Sequence, residues 1–195
     1  MPTGVAIRDV REQLFAAAER VLLRAGPNAL TSRAVTTEAG CAKGVLHRHF
    51  ADFDAFLAEL VLDRVRGVEE RGAALRAAAG TGTVADNVTN ALTDLFGPVA
   101  LGVLGLITSR DALRARLRRT TPTGVPLLTE AGAALAGYLA AERELGRLAP
   151  DSDTDTLAFT LVGSGHLLFA GREDASRDAV RKVVRSVVAG VVRES

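Results

Sequence analysis

Lys43, His47, Arg48 and His49 fall within seven residues, and Leu46 and Phe50, four apart, are set among them. On a helix that begins near Ala42 and turns about 100° per residue, Leu46 and Phe50 share one face and Arg48 points directly away from it. Gly44 and Val45 lie beside Arg48, with Lys43 and His47 on the flanks. An apolar anchor behind with small, cationic and donor groups in front suits the major groove of DNA, where Arg and Lys can bond the N7 and O6 acceptors of guanine. His47 and His49 are two apart, so on a helix they do not converge on one metal ion.

Other chemistry is poorly served. One Cys, three His and one Tyr leave few groups for nucleophilic or acid-base catalysis, and neither a phosphate loop nor a metal-ligand spacing occurs. The chain is therefore read as not an enzyme, with no cofactor and no metal. Cys41 excludes an intrachain disulfide and is expected to be a small buried hydrophobe in a turn. A formal charge of +1 gives no strong overall field for nucleic acid, so any DNA contact must be local and geometric.

The elements that would hold these residues are helices. The spacing of Val10, Leu14, Ala17, Ala18 and Val21 predicts a first helix, which Gly26-Pro27 stops. Thr31 stands as the N-cap of a second, short helix running to about Glu38, and Ala39-Gly40 marks a tight turn before a third from about Ala42 to Phe50. Asp52 can cap a long fourth helix. Further helices are expected at about 84–96, 99–109, 111–119, 127–148, 154–170 and 175–193, with no strand pattern. Hydrophobic residues make up 48% of the 195, aromatic ones only 4%, so short aliphatic side chains must fill the space between helices. The fold class is all-α.

The run Arg11-Glu12-Gln13-Leu14-Phe15-Ala16-Ala17-Ala18, then Gly26, Thr31-Ser32, Val35, Ala39-Gly40, Lys43-Gly44, Leu46 and His49-Phe50, resembles the N-terminal domain of tetracycline-repressor (TetR) family regulators. The likeness covers about 55 residues. It implies a three-helix helix-turn-helix DNA-binding domain over 8–56 and a helical ligand-binding and dimerisation domain over 57–195. The DNA-binding residues implied are Thr31, Ser32, Arg33, Lys43, Gly44, Val45, His47, Arg48 and His49. The chain departs from the family pattern at Ala42, where Ser is usual, at Val45 for Thr, at His47 for a phosphate-touching Tyr, and at Phe53 for a Lys. A phosphate that the protein no longer neutralises keeps its counterions, and their release is then missing from the affinity. Arg33, and Arg8 or Arg11, stand where they can compensate.

Two features of the remaining chain bear on a ligand and a partner. Gly97, Gly102 and Gly105 interrupt the apolar run from Phe96 to Ile107, and either let helices approach closely or leave room for a ligand. A largely apolar cavity is the usual ligand site in a helical bundle, and Phe96, Leu101, Leu104, Ile107, Thr108, Tyr138 and His166 are the candidates. Residues 157–170 are apolar nearly all round, and Val180, Val184, Val187 and Val191 form a stripe on the next helix. A four-helix homodimer interface through Leu161, Gly165, Leu168 and that stripe is expected. The arginines at 110, 114, 116, 118 and 119 read as a solvated helix face, with a second nucleic-acid patch as the alternative.

The function read from these residues is a sequence-specific transcriptional regulator, a repressor that a small apolar or amphipathic effector releases from a palindromic double-stranded operator. Its rivals are a ligand-binding or architectural dimer with degenerate DNA recognition and a small helical enzyme. No apolar stretch reaches the ~20 residues that span a bilayer, and no signal peptide pattern opens the chain. A cytoplasmic protein without a membrane partner is expected.

Overall fold

Ten α-helices account for most of the chain in the computed structural model, which describes residues 4–170 and 176–193, with side chains from residue 10 onward. They are α1 Gly4–Ala25, α2 Ser32–Glu38, α3 Gly44–His49, α4 Phe53–Ala77, α5 Val84–Leu95, α6 Pro98–Ser109, α7 Asp111–Leu117, α8 Leu128–Glu144, α9 Thr154–Ala170 and α10 Arg177–Val188. No named strand occurs among the described residues, and no single helix there is long and apolar enough to cross a membrane.

The helices divide into two compact units. The first comprises Met1–Asp63 and Pro98–Thr123. Helices α2 and α4 begin where short polar side chains satisfy amides that the first turn leaves unpaired. The Thr31 hydroxyl accepts from the Ala34 amide at 3.1 Å, and Asp52 Oδ1 from that of Ala55 at 2.5 Å. The core gathers Leu14, Ala17, Val21, Leu30, Val35 and Leu46 with an aromatic group in which Phe50 meets Phe56 edge-on at 5.0 Å and Phe15 at 6.0 Å. Helix α6 packs on α1. A Cβ at Gly102 would sit 3.4 Å from Leu22 Cβ, and one at Gly105 3.4 Å from Pro27 Cγ, so both glycines serve close packing rather than ligand space.

The second unit comprises Arg64–Gly97 and Gly124–Ser195. Here α5, α8, α9 and α10 bury Val84, Val88, Leu92, Phe96, Leu135, Leu139, Leu161, Val180 and Val184. Helix α8 stops at Glu144 rather than near Leu148, because Gly146 takes φ +77 and turns the chain so that its amide meets Arg143 O at 2.9 Å and the Arg147 amide meets Glu142 O at 3.0 Å. This left-handed stop closes the last carbonyls of the helix. Leu148 then forms an isolated antiparallel bridge with Val192, and α10 correspondingly ends at Val188, short of the expected Arg193.

Candidate nucleic-acid interface and ligand cavity

The recognition helix is built from the anchor outward. Leu46 and Phe50 are buried beneath α3, while Lys43, Gly44, His47 and Arg48 are exposed and Val45 and His49 half-buried. Among the described residues, no heavy atom outside the helix's own backbone and the two chain neighbours lies within 4 Å of where a Cβ of Gly44 would stand, so this part of the face is open. Lys43 holds the N-cap position without a side-chain capping bond, consistent with Ala at 42. On α2, Thr31 and Arg33 are exposed, and Ser32 is half-buried with its hydroxyl lacking a hydrogen-bond partner. Arg33, Lys43 and Arg48 take part in no ion pair among the described residues, so their charges face outward unneutralised.

Arg11 is not available as a compensating phosphate contact. Its guanidinium lies 4.5 Å from the Phe50 ring centroid, pairs with Glu59 and donates to the His49 carbonyl at 3.3 Å, so it fastens α1 to the end of α3. The side chain of Arg8 lies outside the described residues. Glu38 is held by Arg20 at 2.7 Å and Arg24 at 2.9 Å, whose hydrogen bonds keep its carboxyl below the usual range. Cys41 is half-exposed rather than buried, because the turn after α2 leaves its side chain at the surface.

The expected ligand residues do not share one place. Leu101, Leu104 and Ile107 belong to the first unit, the last two buried in its packing, and Thr108 is exposed with its hydroxyl bonded back to Leu104 O at 3.0 Å. Phe96, Tyr138 and His166 belong to the second unit; Phe96 is stacked on Phe169 and 5.9 Å from the His166 ring. None of the seven lines a cavity found in the second unit. That cavity, about 270 Å³, lies among α4, α5 and α8, with an apolar wall of Val68, Leu75, Leu95, Ala131 and Leu135 and polar groups from Arg71, Asn87, Asn90 and Asp94. Sequence reasoning missed it, although Asn87, Asn90 and Asp94 sit at spacings of three and four around Ala91, a polar stripe on one face of α5.

Asn87 links the cavity wall to a buried network. Its Nδ2 donates to Tyr138 Oη at 3.0 Å and to Thr81 O at 2.9 Å. Tyr138 Oη donates to Glu142 Oε1 at 2.5 Å; Glu142 Oε2 accepts from the Gly80 amide at 3.2 Å and faces Arg147 at 3.3 Å. Burial and the Glu142 carboxylate raise the Tyr138 phenol well above its ordinary range.

The fold has many solved relatives. A protein from Mesorhizobium loti described as a TetR-family transcriptional regulator is 14% identical, with 96% of this chain and 98% of that one covered and a TM-score of 0.70. E. coli NemR in its reduced form is 16% identical over 94% and 98% of the two chains, at 0.75. A transcriptional regulator from Saccharomonospora viridis, crystallised with choline, is 17% identical over 96% and 100%, at 0.66. At such identities the likeness is one of fold. No curated protein sequence matches the chain. Residues 14–60, however, match the family described as bacterial regulatory proteins, tetR family, and they contain α2, α3 and the buried anchor. Over that quarter of the chain the sequence is similar to TetR-family regulators, and the whole chain shares the fold of solved structures described as such.

Half of the expected interface stripe is turned inward. Val180, Val184 and Val188 are buried in the packing of α10 on α5 and α9, as are Leu161 and, against the Phe96 ring, Gly165. Val187, Val191 and Leu168 are half-buried. The apolar side chains that α9 leaves open are Phe159, 80% exposed, and Leu167, 74% exposed, with Gly163 between them.

Proposed function

We propose that the chain is a homodimeric repressor that places α3 in the major groove of a palindromic operator and leaves it when a small amphipathic molecule enters the cavity among α4, α5 and α8. The observation that carries the DNA half is the division of α3. Leu46 and Phe50 fix the helix from behind, and Lys43, His47 and Arg48 stand free in front with Gly44 open beside them. Thr31, Ser32 and Arg33 on α2, and Val45 and His49 on the edges of α3, complete the DNA-facing set. Residues 8–56 act as the DNA-binding domain and 57–195 as the ligand-binding and dimerisation domain.

The ligand half rests on the cavity rather than on the residues expected from the sequence. Its apolar wall and four polar groups suit a compact amphipathic molecule. The choline-bound relative supports a small-molecule effector for this fold, though no aromatic ring lines the cavity here. The partner surface is the open face of α9 around Phe159, Gly163 and Leu167, because exposed apolar side chains of this size on one helix face mark an interaction site. The protein acts in the cytoplasm, without catalysis and without a membrane partner.

The test is a mobility shift with labelled duplex from immediately upstream of the coding sequence, beside a scrambled duplex of equal length. Retention of the first at a concentration that leaves the second free supports the reading. Equal retention of both would reduce the chain to a non-specific binder.

A further inference from the structure

The arginine-rich stretch around α7 is not a detached solvated face. Residues 98–123 belong to the same compact unit as α1, α2 and α3. Arg110 donates to the Leu30 carbonyl at 2.7 Å, one residue before the Thr31 cap of α2, and its guanidinium lies 5.8 Å from the Phe53 ring centroid. Arg116 reaches Asp52, the capping residue of α4, at 2.7 Å. The two moored arginines thus touch the entrances of α2 and α4. These are the ends where the family resemblance puts phosphate contacts, at Thr31 and at position 53, and at position 53 this chain has Phe instead of the usual Lys.

The charges on the two segments complement one another. Residues 1–63 hold seven Lys and Arg against eight Asp and Glu, a net −1, whereas residues 98–123 hold five against one, a net +4. A DNA-binding head made only of the N-terminal segment would carry the wrong sign for a polyanion, and counterion release is the main sequence-independent source of affinity. Arg118 and Arg119 are exposed and enter no ion pair among the described residues. Arg116 neutralises Asp52, whose carboxylate would otherwise repel a phosphate beside α4.

We propose that Arg118 and Arg119, at the C-terminal end of α7 and moored to the head through Arg110 and Arg116, form a second phosphate-binding patch of the DNA interface, supplied from outside the helix-turn-helix. It rests on the DNA-binding reading above and adds the location of its missing positive charge.

The test is fluorescence anisotropy of a labelled duplex of about 30 base pairs and generic sequence, titrated with the full chain at several salt concentrations. Each phosphate that a side chain neutralises contributes about 0.9 to the slope of log K against log salt, so the double variant R118Q/R119Q should lower the slope by about 1.8 per protomer, or about 3.6 for a dimer bound through both heads. Affinity should fall about eightfold at 0.1 M salt for each phosphate-bound arginine that the complex loses. R76Q/R185Q, which removes the same charge from the second unit, should leave the slope within error of the wild type. Wild-type slope in R118Q/R119Q, or an equal fall in R76Q/R185Q, overturns the patch while leaving DNA binding intact. A wild type that binds no duplex overturns the DNA-binding reading and the patch with it. Arg116→Gln gives a second reading, since releasing Asp52 beside α4 should weaken binding more than the removal of one outlying charge does.

Discussion

The Tyr138 hydroxyl donates to Glu142 Oε1 across 2.5 Å at a point where neither side chain is open to solvent. The same carboxylate is met by the Gly80 amide and Arg147, so a buried charge on α8 holds the loop between α4 and α5 in place.

Tyr138 is the chain's one tyrosine and there is no tryptophan, so its ionisation can be followed alone by absorbance near 295 nm. Burial, then the bond to Glu142, raises its pKa, and no tyrosinate should form at the ordinary value of about 10 while the chain is folded. A folded-state pKa above the unfolded one means that the stability it contributes is fully present below about pH 10 and is lost as pH rises further. Tyr138→Phe should remove that alkaline loss, and leaving Glu142 short of a donor should cost about 1 to 3 kcal/mol in denaturant unfolding at neutral pH. A normal phenol titration in the native state would contradict the network.

On the recognition helix, Arg48→Ala and Lys43→Ala should leave the melting temperature unchanged, because both side chains are exposed and unpaired. If Arg48 reads a guanine edge, its removal should cost about 1 to 3 kcal/mol of operator affinity and relax specificity at one base pair. Phe50→Ala acts on the other side of the same helix and should destabilise the fold by roughly 3 to 5 kcal/mol. Calorimetry beside operator titration separates the two effects.

Phe159→Asp with Leu167→Asp should yield a folded monomer in sedimentation and sharply reduced operator affinity, since both positions are open in the single chain. Val184→Asp should instead unfold the second unit, because that side chain is fully buried among the chain's own helices. A Phe159/Leu167 variant that stays dimeric would move the partner surface elsewhere.

In the cavity, Ala91→Leu and Ala131→Leu should fill space that an effector needs, leaving DNA binding intact and blunting release by any ligand found. Gly72→Ala tests the wall differently. Its Cβ would fall 2.6 Å from Ala134 Cβ, so α4 and α8 must separate, at a cost of about 1 to 3 kcal/mol in thermal or chemical unfolding. Because Asn87 both lines the cavity and bonds Tyr138, tyrosine fluorescence should report ligand entry directly.

What depends on neighbours along the chain was legible in the sequence. The caps Thr31 and Asp52, the Leu46 and Phe50 anchor, and the span of α9 all follow from spacing within one or two turns. What depends on which surface covers which was not. The valine stripe on α10 announces an apolar face, but an apolar face packs as well on α5 as on a second copy, and here it packs on α5 and α9. The cavity left only a faint signature, the polar stripe of Asn87, Asn90 and Asp94, because Ala74, Ala91, Ala131, Ala134 and Gly72 supply its space by being small, and an absent side chain leaves no trace in a hydrophobic pattern. Arg11 reads as available in the sequence because its partners, Glu59 and the Phe50 ring, lie about forty residues on.

The first unit is assembled from two stretches separated by residues 64–97, and this limits how the DNA-binding activity proposed for it can be moved between proteins. A chimera that takes residues 1–63 alone would carry α3 and its anchor but leave behind α6, which covers Leu22 and Pro27, together with the arginines that bond Leu30 and Asp52. Such a transplant would expose an apolar flank and arrive with net negative charge. The proposed specificity is therefore portable only as a pair of segments, 1–63 with 98–123, and recipients in which the second segment already fits the first are the ones that should accept it.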